Sequence, residues 1–173
     1  NIRIIDYWVV RIDDQGNKIW DRTFGGNSTD ELRSATLTSD GGILLSGYSR
    51  SNISGAKSEN SNGGTDYWVL KIDNQGNKVW DKTLGGIGDD LLSGAILTSD
   101  GGYLLAGYSF SDASGDKSEN RKGENDFWVV KIDATGNKVW DKTFGGNTSD
   151  VCASVVSAPD GGYLLAGYSS SGI

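Results

Sequence analysis

The chain has 173 residues, enough for one domain with its own core, and its 16 basic and 23 acidic side chains leave a net charge of −7. That balance excludes the basic surface needed to bind a nucleic-acid backbone. There is no histidine, so the usual general base and the commonest zinc ligand are missing, and the single cysteine, Cys152, excludes an intrachain disulfide. The 26 glycines against one proline, with apolar residues in groups of four to seven, fit many short strands joined by turns. No apolar run reaches the roughly 18 residues of a membrane-spanning helix. The first residue is Asn1 and no signal-type segment follows, so the sequence reads as a piece of a longer protein or a processed product.

In chain order, residues 1–5 read as the end of a strand from a preceding unit. Residues 7–12, a β-branched and aromatic run between Asp6 and Asp13, predict a strand. Residues 13–17 supply turn chemistry, with Gly16 or Asn17 able to take positive φ, and 18–24 form the return strand, stopped by Gly25 and Gly26. A polar corner over 27–31 leads to a third strand at 32–38. Ser39-Asp-Gly-Gly42 is a tight turn into a fourth strand at 43–48. Sixteen polar residues, 49–64, then lead by way of Thr65 to Asp66, where the pattern restarts.

The segment from Asp6 to Gly26 recurs at Asp66 and Asp126, a period of 60 residues, and residues 66–113 match 126–173 at 28 of 48 positions. The expected organisation is one repeat domain over 1–173 with units 6–65, 66–125 and 126–173. In the fourth strands, such as Tyr103-Leu-Leu-Ala-Gly, apolar residues stand at consecutive positions, so both faces must be covered. The first two strands alternate better, as Trp68, Leu70 and Ile72 do against Lys71, and are expected nearer solvent. The fold class this predicts is all-β: β-propeller blades of four antiparallel strands. Removing the 16-residue loop from the 60-residue unit leaves 44, within the ~40–45 residues of a typical blade. A threefold β-trefoil or β-prism is the competing architecture. Three units are fewer than the ~4–8 of most propellers. The chain is therefore expected to belong to a longer propeller, with further repeats or a homo-oligomer completing the ring.

Lys131-Ile-Asp-Ala-Thr-Gly-Asn-Lys-Val-Trp140 resembles the blade motif of the PQQ-dependent alcohol dehydrogenase propellers. The resemblance implies the hairpin and a tryptophan that docks on the neighbouring blade, here Trp20, Trp80 and Trp140. It implies no cofactor or metal ligand. The whole unit is similar to a tandem repeat of bacterial cell-surface and secreted proteins, including those exported by the type IX route. Residues 66–109 and 126–169 match nearly throughout its pattern of Asp-Tyr-Trp-Val-Val-Lys, Gly-Asn, a Trp strand, Gly-Gly, a Ser/Thr-x-Asp-Gly-Gly-Tyr turn and Ala-Gly-Tyr-Ser, and the first unit departs at Ile43 and Ser46. That similarity implies a secreted or cell-surface location.

Four sets of residues are candidates for chemistry. Asp112, Ser114 and Asp116 alternate as oxygen ligands do in calcium loops, and Glu119 and Asp126 would complete a shell. The first unit lacks two of these carboxylates, having Asn52 and Ala56, and a solvated turn is the plainer reading. Tyr48, Tyr108 and Tyr168 end the fourth strands beside the long loop and are candidates for stacking on a sugar ring or gripping another ligand. Asp21, Asp81 and Asp141, with Asp30, Asp90 and Asp150, recur in every unit. That favours hydrogen bonding in turns over catalysis, because catalytic groups occur once per site. The Lys57 and Lys117 segments lack the Gly-x-x-x-x-Gly-Lys spacing of a phosphate loop. The expected function is a non-catalytic scaffold, adhesion or protein-binding platform presenting loops 49–65 and 109–125. A lectin-like glycan binder is the alternative. A protein or glycan partner is expected, and neither nucleic acid nor a membrane span.

Overall fold

The computed structural model describes residues 4–171. Residues 1–3 of the expected leading strand and the last two of the third unit lie outside the described residues. The protein is all-β, with twelve strands among the described residues: β1 (Tyr7–Ile12), β2 (Lys18–Phe24), β3 (Asp30–Leu37), β4 (Ile43–Ser49), β5 (Asp66–Ile72), β6 (Lys78–Leu84), β7 (Asp90–Leu97), β8 (Tyr103–Ser109), β9 (Asp126–Ile132), β10 (Lys138–Phe144), β11 (Asp150–Ser157) and β12 (Tyr163–Ser169). No helix long and apolar enough to cross a membrane occurs among the described residues.

Each turn follows from its sequence. Asp13, Asp73 and Asp133 accept two backbone N–H bonds across their β-hairpins, and Gly16, Gly76 and Gly136 take positive φ there. Gly41, Gly101 and Gly161 do the same in the Asp-Gly-Gly turns.

The sheets do not coincide with the sequence units. Strand orders are β3-β4-β5-β6 and β7-β8-β9-β10, flanked by the two-stranded sheets β1-β2 and β11-β12, and all neighbouring strands are antiparallel. Every four-stranded sheet therefore joins the last two strands of one unit to the first two of the next. The long polar loop is the connection inside that sheet. The central pairing is regular over seven residues, from Ile43 opposite Ile72 to Ser49 opposite Asp66, and from Tyr103 opposite Ile132 to Ser109 opposite Asp126. Among the described residues none of the four sheets closes on itself into a barrel.

The sheets pack face to face. One core joins Leu44, Tyr67, Val69 and Leu84 to Leu105, Trp128, Val130 and Ile132 of the next sheet, so Leu44-Leu45 and Leu104-Leu105 are covered on both sides. Tyr7 Oη donates to the Trp68 carbonyl and Tyr67 Oη to the Trp128 carbonyl, both at 2.9 Å, with each ring tilted against the tryptophan it reaches. Strands β3, β7 and β11 lie side by side, tied by Thr36 Oγ1 to the Ala95 carbonyl and Ser93 Oγ to the Cys152 carbonyl.

One expectation needs correction. Strand β1 and the second strands β2, β6 and β10 are partly exposed as expected, but the first strands of the later units are not: β5 is buried along its whole length and β9 nearly so. The lysines that made them look half-wet, Lys71 and Lys131, are themselves buried and paired with Asp40 and Asp100 of the preceding Asp-Gly-Gly turns. A paired lysine lets a strand alternate in sequence and still be covered on both faces.

A narrow point of contact gives a prediction. Gly47, Gly107 and Gly167 face the bulges of β3, β7 and β11, and a Cβ at Gly107 would fall inside the contact radius of the Leu91 carbonyl oxygen. Gly107→Ala is expected to lower the unfolding free energy by about 2 kcal/mol or more, measured by urea unfolding. Gly94→Ala has open space and serves as the neutral control.

Candidate functional site

Six of the recurring carboxylates accept hydrogen bonds within the fold, Asp30 and Asp90 through Oδ2 alone, with Oδ1 buried and without a partner. Asp81 Oδ2 accepts the Trp68 Nε1–H at 3.0 Å and the Ser58 N–H at 2.9 Å, while its Oδ1 accepts from Ser58 Oγ and Lys78 Nζ. Asp141 repeats this with Trp128, Ser118 and Lys138. In both, these bonds outweigh burial and hold the carboxyl below its usual range. Asp21 receives only Trp8 and Lys18 and stands in solvent. Asp30, Asp90 and Asp150 each accept a Gly N–H four residues back and a serine hydroxyl from beyond the fourth strand. Asp66 is buried with Oδ2 on the Asn62 N–H and Oδ1 without a partner, and burial with the nearby Asp90 raises its pKa to about 6.

The motif Ser-Gly-x-Lys-Ser-Glu-Asn is a strap. Lys57 is buried on Thr83 Oγ1, and Glu59 accepts the Thr83 N–H at 2.7 Å and pairs with Lys82 at 2.8 Å. Lys117, Glu119, Thr143 and Lys142 repeat the arrangement. The middle of each long loop is thereby fastened to its own sheet. The loop also reaches the sheet before it, through the Ala56 N–H on the Gly25 carbonyl and the Asp116 N–H on the Gly85 carbonyl.

The strap uses residues of the expected calcium loop. Asp112 faces Arg121 at 3.5 Å, Ser114 Oγ lies between the Asp112 carbonyl and the Ile87 N–H, and Asp116 Oδ2 accepts from Asn62. Glu119 is held by Lys142 and Thr143, and Asp126 accepts the Lys122 N–H. Among the described residues no group of three or more Asp, Glu, Cys or His is placed to hold a metal ion. Calcium in this loop would have to displace the Arg121 and Lys142 ion pairs.

Trp20 and Trp80 lie against the hairpin turn of the following sheet. A Cβ at Gly76 would stand 3.2 Å from the Trp20 ring, and one at Gly136 would stand 3.0 Å from the Trp80 ring, so only glycine leaves room for the indole. Among the described residues no turn glycine lies against the Trp140 ring, which is 38 % exposed. Trp80→Ala is expected to cost about 3 kcal/mol by removing this packing, against little for Trp140→Ala, measured by thermal or urea unfolding of the monomer.

Tyr48, Tyr108 and Tyr168 come together. All three line one open cavity of about 380 Å³, where β4, β8 and β12 end beside β3, β7 and β11. Its floor includes Arg33, Ser93 and Ala153, the residues left unpaired by the bulges of β3, β7 and β11. Arg33 donates to Tyr48 Oη at 2.6 Å with its guanidinium 5.0 Å from the ring centre, and Tyr48 Oη donates to Glu31 at 2.7 Å. Burial raises the Tyr48 and Tyr108 phenols above their usual range, so both are neutral donors at pH 7. Tyr168 is exposed. A neighbouring cavity of about 350 Å³ shares Tyr48 and Leu91 and adds Arg50. The two cavities offer aromatic rims, phenol donors and the guanidinium groups of Arg33 and Arg50, which suits binding.

The bulge residues were not foreseen. The signal lay in the recurring Gly47, Gly107 and Gly167, since glycine inside a strand marks close approach of another backbone.

Set beside known proteins, the chain matches no family model and no curated protein.

Proposed function

We propose that the protein is a non-catalytic repeat module of a secreted or cell-surface bacterial protein, with β-propeller-like blades that form a rigid scaffold for binding another protein. The single observation that carries this is the contrast between the two classes of polar group. Asp81 and Asp141 are taken up by tryptophan, serine and lysine donors, and Asp30, Asp90 and Asp150 each hold a glycine N–H and a serine hydroxyl, while a concave surface to which all three units contribute is lined by three tyrosines and an arginine. Tyrosine and arginine are the side chains that dominate binding surfaces, because they combine large area with directed hydrogen bonds. Blades around an axis would place β3, β7 and β11 innermost and the cavity at one mouth of the axis. Further repeats or a second chain would complete the ring.

The three tyrosines also favour a second reading, a lectin-like site in which a sugar stacks on Tyr108 or Tyr168. One experiment separates the two. A partner retained from an extracellular extract by the immobilised chain should bind at least tenfold more weakly to Tyr108→Ala and Tyr168→Ala variants. Under the protein-binding reading, periodate oxidation of the extract leaves binding intact and protease destroys it. Loss on periodate alone would transfer the site to a glycan, and unchanged binding by both variants would remove the cavity from the proposal.

A further inference from the structure

The two half-sheets at the ends of the stack are complementary. β12 and β8 have the same sequence, Tyr-Leu-Leu-Ala-Gly-Tyr-Ser, and β1 with Asp6 differs from Asp126 and β9 only in Tyr7 for Phe127 and Arg11 for Lys131. Inside the chain, β8 pairs with β9 over seven residues and β4 with β5 in the same register. Among the described residues the corresponding edges at the ends are unpaired: β1 bonds only β2, and β12 bonds only β11. Trp8 is 65 % exposed where Trp68 and Trp128 are 0 %, and Leu164 is 60 % exposed where Leu104 is 1 %.

A second, independent match lies one layer away. Trp20 and Trp80 each cover the glycine of the following hairpin turn, Gly76 and Gly136. The next tryptophan in this series, Trp140, has no turn glycine to cover among the described residues. It borders an apolar groove of about 130 Å³ with Leu104, Val129 and Leu165. The equivalent turn glycine, Gly16, has positive φ and nothing within 4 Å of its Cβ position. A ring without a glycine and a glycine without a ring stand at opposite ends of the same molecule.

We infer that β12 of one copy pairs antiparallel with β1 of a second copy, completing a four-stranded sheet β11-β12-β1-β2 across two chains. The register follows the internal junctions: Tyr163 opposite the partner's Ile12, Leu165 opposite the partner's Val10, and Ser169 opposite the partner's Asp6. Trp140 then covers the partner's Gly16. The contact is head to tail, so two copies close a ring if the rotation permits and otherwise extend into an open chain. It lacks the tyrosine bond of an internal junction, because Phe127 stands where Tyr7 and Tyr67 donate to a tryptophan carbonyl, and among the described residues it has no counterpart of the strap bonds to Asp81 and Thr83. Unpaired strand edges flanked by apolar side chains are what β-strand addition requires. The inference gives the scaffold a partner in its own kind and does not depend on the tyrosine cavity.

The test uses two variants of the full chain, Trp8→Lys to block the β1 edge and Leu164→Lys to block the β12 edge, sized by sedimentation velocity over a thousandfold concentration range. Both positions are exposed in the single chain, so the monomer should tolerate them. The wild type is expected to form dimers or longer assemblies as concentration rises, and each variant alone to stay monomeric. An equimolar mixture should form a dimer and no more, because only one junction remains usable. Trp140→Ala should weaken wild-type assembly tenfold or more. A wild type that stays monomeric at every concentration would overturn the inference. So would a single variant that assembles as the wild type does, or a mixture that fails to dimerise while the wild type does. Retained assembly together with unaffected partner binding by Tyr108→Ala would separate this result from failure of the cavity reading.

Discussion

Replacing Asp81 with alanine is expected to lower the unfolding free energy by about 3–5 kcal/mol, the largest loss among the polar positions. The carboxylate is almost fully buried and receives four donors, one of which, the Trp68 indole N–H, lies at the centre of the molecule. Without it the indole N–H and the Ser58 N–H are left unpaired inside the protein, and the strap loses its Ser58 bonds while keeping the Lys57 and Glu59 contacts to Thr83 and Lys82. Asp21→Ala removes the same residue of the repeat at a position open to water, where its partner Trp8 is also exposed. The loss there should be far smaller. Urea unfolding of both variants checks the difference, and equal losses would show that the repeat position, not its burial, sets the energetics.

Asp66→Asn is expected to do the opposite, stabilising the protein by about 2 kcal/mol at pH 7. The Asp66 carboxyl is buried beside Asp90, and its pKa rises from 3.8 to about 6. Because the folded pKa is the higher one, the folded state holds this proton more tightly. Stability from the group is therefore full below pH 3.8 and declines as pH rises through 6, by roughly 3 kcal/mol in all. Asparagine can keep the bond from the Asn62 N–H through its own oxygen and carries no charge to bury. The difference between variant and wild type should be small at pH 4 and grow to its full value by pH 7, read from urea unfolding at several pH values. A variant destabilised equally at both would mean that the carboxylate is paired. Below pH 3.8 the slope reverses for other groups. Asp133, held at about 2 by Thr135 and Asn137, and Asp81 lose their contributions as they protonate.

The strands themselves were legible because local chemistry sets them. β-branched and aromatic runs closed by Asp-x-x-Gly and Asp-Gly-Gly turns leave few alternatives, and β1 and β2 begin and end where the residues suggest. The grouping of strands into sheets was not legible. A 16-residue polar loop gives no hint that it joins two adjacent antiparallel strands, and the unit boundary at Asp66 instead falls in the middle of a sheet. Lys71 and Lys131 misled for a related reason, since their counter-charges, Asp40 and Asp100, come from turns 31 residues earlier. At the candidate site, the tyrosines could be picked out as strand ends near a loop. Their meeting in one cavity depends on the sideways approach of β3, β7 and β11, which no single repeat encodes.

The central claim is that position in the stack decides burial, and two identical heptapeptides test it. Hydrogen–deuterium exchange, carried out at a dilution where the chain is monomeric, should find the amides of β8 protected close to the limit set by global unfolding. The amides of β12 that face its open edge should exchange orders of magnitude faster. Equal protection of Tyr103–Ser109 and Tyr163–Ser169 in the monomer would contradict the account, because identical sequences would then be equally covered.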